Sequence, residues 1–118
     1  MLPEQKDAAY LWDIYQAACE IKQFVGKLAL CDFENNKMVR YAVERQLLVI
    51  GEAAKLISES FKAEHRHIPW KSIIAQRNIL AHAYGEILVE RIWLVASEEI
   101  PKLINNIEPL IPTPPQEE

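Results

Sequence analysis

The sequence predicts an all-α protein, and three observations carry that prediction. Apolar residues recur at steps of three and four along four successive segments, no segment alternates apolar with polar residues as a strand would, and only three glycines fall among 118 residues. Four helices joined by short connections imply an antiparallel bundle, with the last helix kinked or split. Residues 1–108 read as one such domain, and residues 109–118 as a Pro-rich, acidic, mobile tail. A thin bundle of this size commonly pairs with a copy of itself to cover leftover apolar surface, so a two-fold homodimer is expected.

The first helix is expected from about Asp7, read as its N-cap, to about Leu28, because Tyr10, Leu11, Ile14, Ala18, Ile21, Val25 and Leu28 make one apolar stripe. Cys31 to Asn36, with Asp32 and two asparagines, reads as a turn. A long second helix follows, from about Asn36 to Lys62. Its apolar residues cover more than one face, as in a helix central to the bundle that also offers an interface. Gly51 lies inside it at a cost of roughly 1 kcal/mol relative to Ala, which points to close approach by another helix.

Pro69 suits the first position of a third helix, where its missing N–H costs nothing. Trp70, Ile73, Ile74 and Leu80 supply the buried side of that helix, and Gly85 suits the left-handed position that ends it near Ala83. The fourth helix begins near Ile87 and carries Leu88, Ile92, Val95, Leu103, Ile104 and Ile107 inward. Pro101 is expected to kink or break it, because proline removes the bond to Ser97 and crowds that turn. Trp12, Trp70 and Trp93 read as core residues.

Composition narrows the function. The longest apolar stretches fall far short of the roughly 20 residues that cross a bilayer, so no membrane span is expected. Cys19 and Cys31 have no metal-ligand spacing and no signal peptide precedes them, so both read as reduced thiols of a cytoplasmic protein. His65 and His67 flank Arg66 but lack a third ligand at suitable spacing, so they read as solvated loop residues. Neither a metal nor a cofactor is expected. A net charge of −4 argues against a broad basic surface for nucleic acid. The charge is uneven, however: Lys62, Arg66, Lys71 and Arg77 face only Glu64 between residues 62 and 77, so a polyanion would engage the middle of the chain.

The most informative stretch is Gln76-Arg77-Asn78-Ile79-Leu80-Ala81-His82-Ala83-Tyr84-Gly85, where polar groups interrupt an apolar helix just before its end. Asn78 and His82 are four apart and share a face, so the amide can orient the imidazole. Arg77 lies roughly 140° round from His82, yet its long arm can curl toward the same cleft or reach a partner subunit. The last turn of a helix favours the imidazolium and suits acid–base work. Cleaving RNA without a metal needs a base for the 2′-hydroxyl, an acid for the departing 5′-oxygen and a cation for the phosphorane. Two copies of Arg77 and His82 along one dimer groove would complete that set. A plainer reading stands beside this one: Arg77 fastens the bundle through a carboxylate such as Glu52, His82 satisfies helix-end carbonyls, and Tyr84 packs.

The segment Arg77 to Tyr84 fits the Arg-x4-His-x-Tyr signature of HEPN toxins, and its surroundings resemble the HepT-like family, once known only as a domain of unknown function. The resemblance extends through Tyr10-Leu11-Trp12-Asp13-Ile14, Ala42-Val43-Glu44-Arg45, Ile50-Gly51-Glu52-Ala53-Ala54, Ile68-Pro69-Trp70, Ile92-Trp93 and Pro101-Lys102-Leu103, nearly the whole chain. It implies a ribonuclease toxin of a two-gene toxin–antitoxin pair, of the type II or type VII kind. Arg77 and His82 would cleave cellular RNA, tRNA or mRNA, with Asn78 in support and Lys71 and Arg66 as further RNA-binding candidates. The implied partner is a minimal nucleotidyltransferase antitoxin that transfers AMP from ATP to the motif tyrosine, here Tyr84. The added charge and bulk would exclude the RNA backbone from the groove. The alternative is a non-catalytic helical module that partners such a nucleotidyltransferase.

Overall fold

The computed structural model describes residues 3–82 and 89–112. Among them every regular element is helical, as expected, in the order α1 (Pro3–Val25), α2 (Leu30–Glu34), α3 (Lys37–Leu56), α4 (Glu59–Glu64), α5 (Trp70–His82), α6 (Val89–Leu94) and α7 (Ile100–Ile107). A π-helical turn, Val95–Glu99, joins α6 to α7, and a 3-10 turn, Glu108–Leu110, follows α7. Helix α3 is central: α1 packs on one side of it and α5 on another, while α7 returns to α1. The core is made of the expected apolar stripes, with Leu11, Ile14, Ala18 and Ile21 from α1 meeting Val43, Leu47, Ile50 and Ala54 from α3, and Leu103, Ile104 and Ile107 closing over them from α7, while Trp12, expected in the core, is half-buried and stacks on Tyr15.

The first helix corrects two expectations at its ends. It begins at Pro3, so Asp7 is an internal residue rather than the N-cap. Asp7 is buried because it is used elsewhere: its carboxylate accepts bonds from the Ser58 backbone N–H at 2.9 Å and from the Ser58 hydroxyl at 2.6 Å. Two charge-assisted bonds supply what burial takes from the carboxylate. At the other end α1 stops at Val25 instead of Leu28, because Gly26 adopts φ +45° and its N–H bonds to the Lys22 carbonyl at 2.9 Å.

The expected second helix is two helices. Its start holds: the Asn36 side chain accepts from the Val39 N–H at 3.1 Å. Its far end breaks after Leu56, where Ile57 turns to extended backbone and Ser58 caps α4 by accepting from the Phe61 N–H at 3.2 Å. The same Ser58 is the residue held by Asp7, so the break is fixed to α1. The stretch 31–36, read as a turn, holds most of a short helix, α2, which buries Phe33 completely and sets its ring 5.2 Å from that of Trp93.

Pro69 stands one residue ahead of α5, and its carbonyl accepts the first helical bond, from the Ile73 N–H at 3.1 Å. Trp70, buried, donates its indole N–H to the His65 carbonyl at 3.0 Å, which pins the turn before α5. Pro101 does not end the last run, which is divided by the π-helical turn and continues through the proline as α7. The π-helical turn just before it lets the Ile100 N–H reach the Val95 carbonyl, five residues back, and the Ser97 hydroxyl bonds to the Trp93 carbonyl at 2.7 Å. The widened turn absorbs the hydrogen bond that proline cannot make. Beyond α7, Leu110 and Ile111 lie half-buried on the core, within the stretch read as tail. Cys19 is half-buried and Cys31 exposed, and both are free thiols. No described helix is long and apolar enough to cross a membrane.

Candidate active site

The site grows out of one helix crossing. Gly51 of α3 faces Arg77 of α5 so closely that a Cβ at position 51 would overlap the Arg77 Cβ and lie 3.3 Å from its Cα. The close approach expected of Gly51 is therefore real, and it is made to Arg77 itself. With α5 lying this near, the Arg77 side chain cannot lie flat between the helices and passes along α3 to the next residue. There it forms an ion pair with Glu52 through Nη2. Its other terminal nitrogen, Nη1, donates to the Asn78 Oδ1 at 3.1 Å. The Arg77 side chain is 23 % exposed and that of Glu52 47 %, so the pair stands at a rim, reachable from solvent. The Arg77 Nε is buried and has no hydrogen-bond partner among the described residues.

A shallow hollow of about 290 Å³ continues from Glu52 along α1 and α3. Leu48, Val49 and Leu56 make its apolar side, and Tyr10, Asp13 and Arg45 its polar side. Sequence reasoning did not single it out. Its signal lay in residues 45, 48, 49, 52, 53 and 56, one helical stripe of α3 that runs along the edge of the core beside the contact with α5.

Of the residues singled out from the sequence, the structure brings together Arg77, Asn78 and Glu52. The partner weighed for the plainer reading of Arg77, Glu52, is the one it has. Asn78 serves Arg77 with its oxygen, which leaves the amide NH2 as the group able to meet His82. His82 is the last residue of α5; its side chain, together with Tyr84 and Gly85, lies outside the described residues. Lys71 is exposed in the first turn of α5, about 9 Å along the axis from Arg77 at 1.5 Å per residue. Arg66 is exposed in the turn before α5. Neither forms an ion pair among the described residues.

His65 and His67 are not the two solvated loop residues expected. His67 is exposed, but the His65 ring, half-buried, packs tilted against Phe61 at 4.3 Å and meets the His67 ring edge-on at 5.9 Å. Among the described residues no three His, Cys, Asp or Glu side chains gather as metal ligands would. Elsewhere on α3, burial pushes the Glu44 carboxyl above the ordinary glutamate value, and the Arg40 charge opposes that shift only in part.

Residues 14–110 match the family described as Ribonuclease HepT-like. A protein of Methanocaldococcus jannaschii whose name makes it an inferred RNase is 38 % identical over 100 residues, covering 85 % of this chain and 92 % of its own. A second, named as a probable ribonuclease HepT of Thermococcus cleftensis, is 39 % identical over 101 residues, covering 86 % and 92 %. An inferred RNase of Caldanaerobacter subterraneus is 30 % identical over 102 residues, covering 86 % and 91 %. No solved structure matches the chain significantly. A family match through both helices of the Gly51–Arg77 crossing, with relatives that run nearly end to end, leaves one assignment: the chain belongs to the HepT-like ribonuclease family.

Proposed function

We propose that this chain is a metal-independent endoribonuclease, the toxin of a toxin–antitoxin pair, and that Arg77 and His82 carry its chemistry. The observation that supports this reading is the setting of Arg77. In a ribonuclease family member, a guanidinium stands at a solvent-reachable rim with its arm braced by Gly51 and Glu52, five residues before a histidine on the same helix.

The reaction is transesterification. The ribose 2′-oxygen attacks the neighbouring phosphorus and gives its proton to one imidazole. The bond from phosphorus to the 5′-oxygen breaks, and that oxygen takes a proton from a second imidazole. Arg77 steadies the negative charge on the phosphorane. The second imidazole comes from a partner copy, so activity requires the dimer. Met38, Tyr41 and Leu56 stand exposed on α3, within about 60° of one another around the axis at 100° per residue, and Glu52 lies among them. Exposed apolar side chains on the face that carries the site are what a second copy would cover. Tyr84, two residues past His82, is the acceptor of AMP from a nucleotidyltransferase antitoxin, and the adenylate would fill the place of the RNA backbone. Lys71 and Arg66 extend the cationic surface for the strand.

The Arg77–Glu52 ion pair also favours a second reading, in which Arg77 is structural and the chain is a non-catalytic partner of the nucleotidyltransferase. Cleavage decides between them. Wild-type protein in EDTA should cut RNA and leave 2′,3′-cyclic phosphate and 5′-hydroxyl ends. His82→Ala and Arg77→Ala should each lower the rate by about 10²- to 10⁴-fold with the fold intact. An inert wild type would leave the second reading standing. Intact mass after co-expression with the nucleotidyltransferase should rise by one or more adenylate units, and Tyr84→Phe should prevent it.

A further inference from the structure

We infer that Glu52 is the positioning residue of the site: its carboxylate holds the guanidinium of Arg77 in the orientation that a scissile phosphate needs. The inference rests on the ribonuclease reading above and adds a residue that the Arg-x4-His-x-Tyr motif does not contain.

An arginine at a helix surface has four rotatable side-chain bonds, and a charge at their end ranges over several ångströms unless something fixes it. Here three contacts fix it. Gly51 admits the arm at its Cβ, with a would-be side chain only 2.6 Å from Arg77 Cγ, so the root of the chain is set by backbone packing. Glu52 forms an ion pair with Nη2, and the Asn78 Oδ1 accepts from Nη1 at 3.1 Å. A guanidinium has five N–H donors. The two contacts leave one N–H on each terminal nitrogen, and these suffice for the paired approach that guanidinium makes to phosphate oxygens. The buried Nε has no hydrogen-bond partner among the described residues.

Placement argues against a purely structural pair. A carboxylate recruited only to neutralise a buried cation would be buried with it, whereas the Glu52 side chain is 47 % exposed and the Arg77 side chain 23 %. Exposed pairs add little to stability. What Glu52 does supply is direction, because it is the residue next to the glycine that lets α5 approach. It also borders the hollow formed by Tyr10, Asp13, Arg45 and Leu48, so the pair stands beside an open surface rather than inside the core.

Glu52→Gln tests this, since it keeps shape and removes the charge. In single-turnover and steady-state cleavage of a short RNA, kcat should fall by about 10- to 100-fold, as for a catalytic group displaced by about 1 Å, while KM moves by less than about threefold. A merely structural residue would instead lower the melting temperature and the active fraction and leave kcat per folded molecule unchanged. A second readout is independent of cleavage. In the arginine side-chain NMR spectrum, Arg77 of the wild type should show separate, slowly averaging Nη signals, and Glu52→Gln should merge them. Should the Gln variant unfold, Glu52→Asp takes its place, with the carboxylate drawn back by one methylene and the same loss expected. Unchanged kcat, or an Arg77 signal that is already averaged in the wild type, overturns the inference. If the wild type cuts no RNA, the ribonuclease reading fails separately and the Arg77 signal still decides whether Glu52 holds the side chain.

Discussion

Arg77 and Arg40 are both half-buried, and each keeps its Nε from water without a hydrogen-bond partner among the described residues, yet the two differ in what holds them. Arg77 reaches from α5 across to Glu52 on α3. Arg40 has Glu44 four residues further along its own helix and forms no ion pair with it among the described residues. Local spacing is therefore the weaker organiser. On a helix the favourable order places the acid N-terminal to the base, and Arg40–Glu44 is the reverse. The Arg77–Glu52 pair depends instead on two backbones set at a fixed approach by Gly51. A pair built across a crossing is oriented, and a pair left to helix spacing is not. Orientation is what a phosphate-binding guanidinium requires.

The largest effect should come from closing the crossing. Gly51→Ala places a methyl where Arg77 Cβ already stands, with Arg77 Cα 3.3 Å away, so relief requires moving α5 rather than rotating a side chain. Overpacking of this kind costs about 1–3 kcal/mol, against a gain of about 1 kcal/mol in helix propensity. The variant should melt several degrees lower and cleave RNA more slowly than its folded fraction accounts for. A melting temperature at or above that of the wild type would show that the helices do not meet this closely.

Next in size is the difference between the pairs themselves. A double-mutant cycle on Arg77→Met and Glu52→Gln should return a coupling of about 0.5–1 kcal/mol, toward the low end because Glu52 is 47 % exposed. The same cycle on Arg40→Met and Glu44→Gln should return a coupling close to zero. Arg40→Met alone should cost little, since it also removes a buried N–H that has no partner among the described residues. Equal couplings from urea unfolding would remove the distinction between crossing and spacing.

The sequence made the stripes legible and the breaks illegible. Leu11, Ile14, Ala18 and Ile21, or Val43, Leu47, Ile50 and Ala54, could be placed in the core because burial follows helical period. Gly51 could be read as a close approach because glycine inside a helix needs a reason. The interruption at Ile57 could not, because it depends on Asp7, 51 positions from Ser58 in the chain, and no local pattern records that bond. Pro101 was visible as a disturbance, but whether the chain kinks or widens is decided by packing around Val95 and Ser97. The site divides the same way. Arg77 and Asn78 stand in the motif, while Glu52 could be named only as an example of a carboxylate for Arg77, since the crossing that selects it is a tertiary fact.

The smallest effect concerns the arginine that has no fixed partner, and it is read through pH. Burial raises the Glu44 carboxyl above the ordinary value of 4.5, and Arg40 opposes the shift without cancelling it. The folded chain therefore holds this proton to a higher pH than the unfolded chain does. Stability contributed by protonated Glu44 is complete below the ordinary value and is lost as pH rises through the raised one. At neutral pH Glu44 is thus a mild liability that Arg40 fails to remove, and Glu44→Gln should move the urea midpoint upward relative to wild type. The advantage should shrink as both proteins are titrated below the ordinary glutamate value, where the wild-type residue is neutral as well. Solvent screening of a half-buried group keeps this the least of the three effects. A Glu44→Gln advantage that persists in acid would mean that amide packing, not charge, is responsible. A loss of stability at neutral pH would mean that Arg40 does hold Glu44 in solution, and the contrast between the two arginines would then be one of geometry alone.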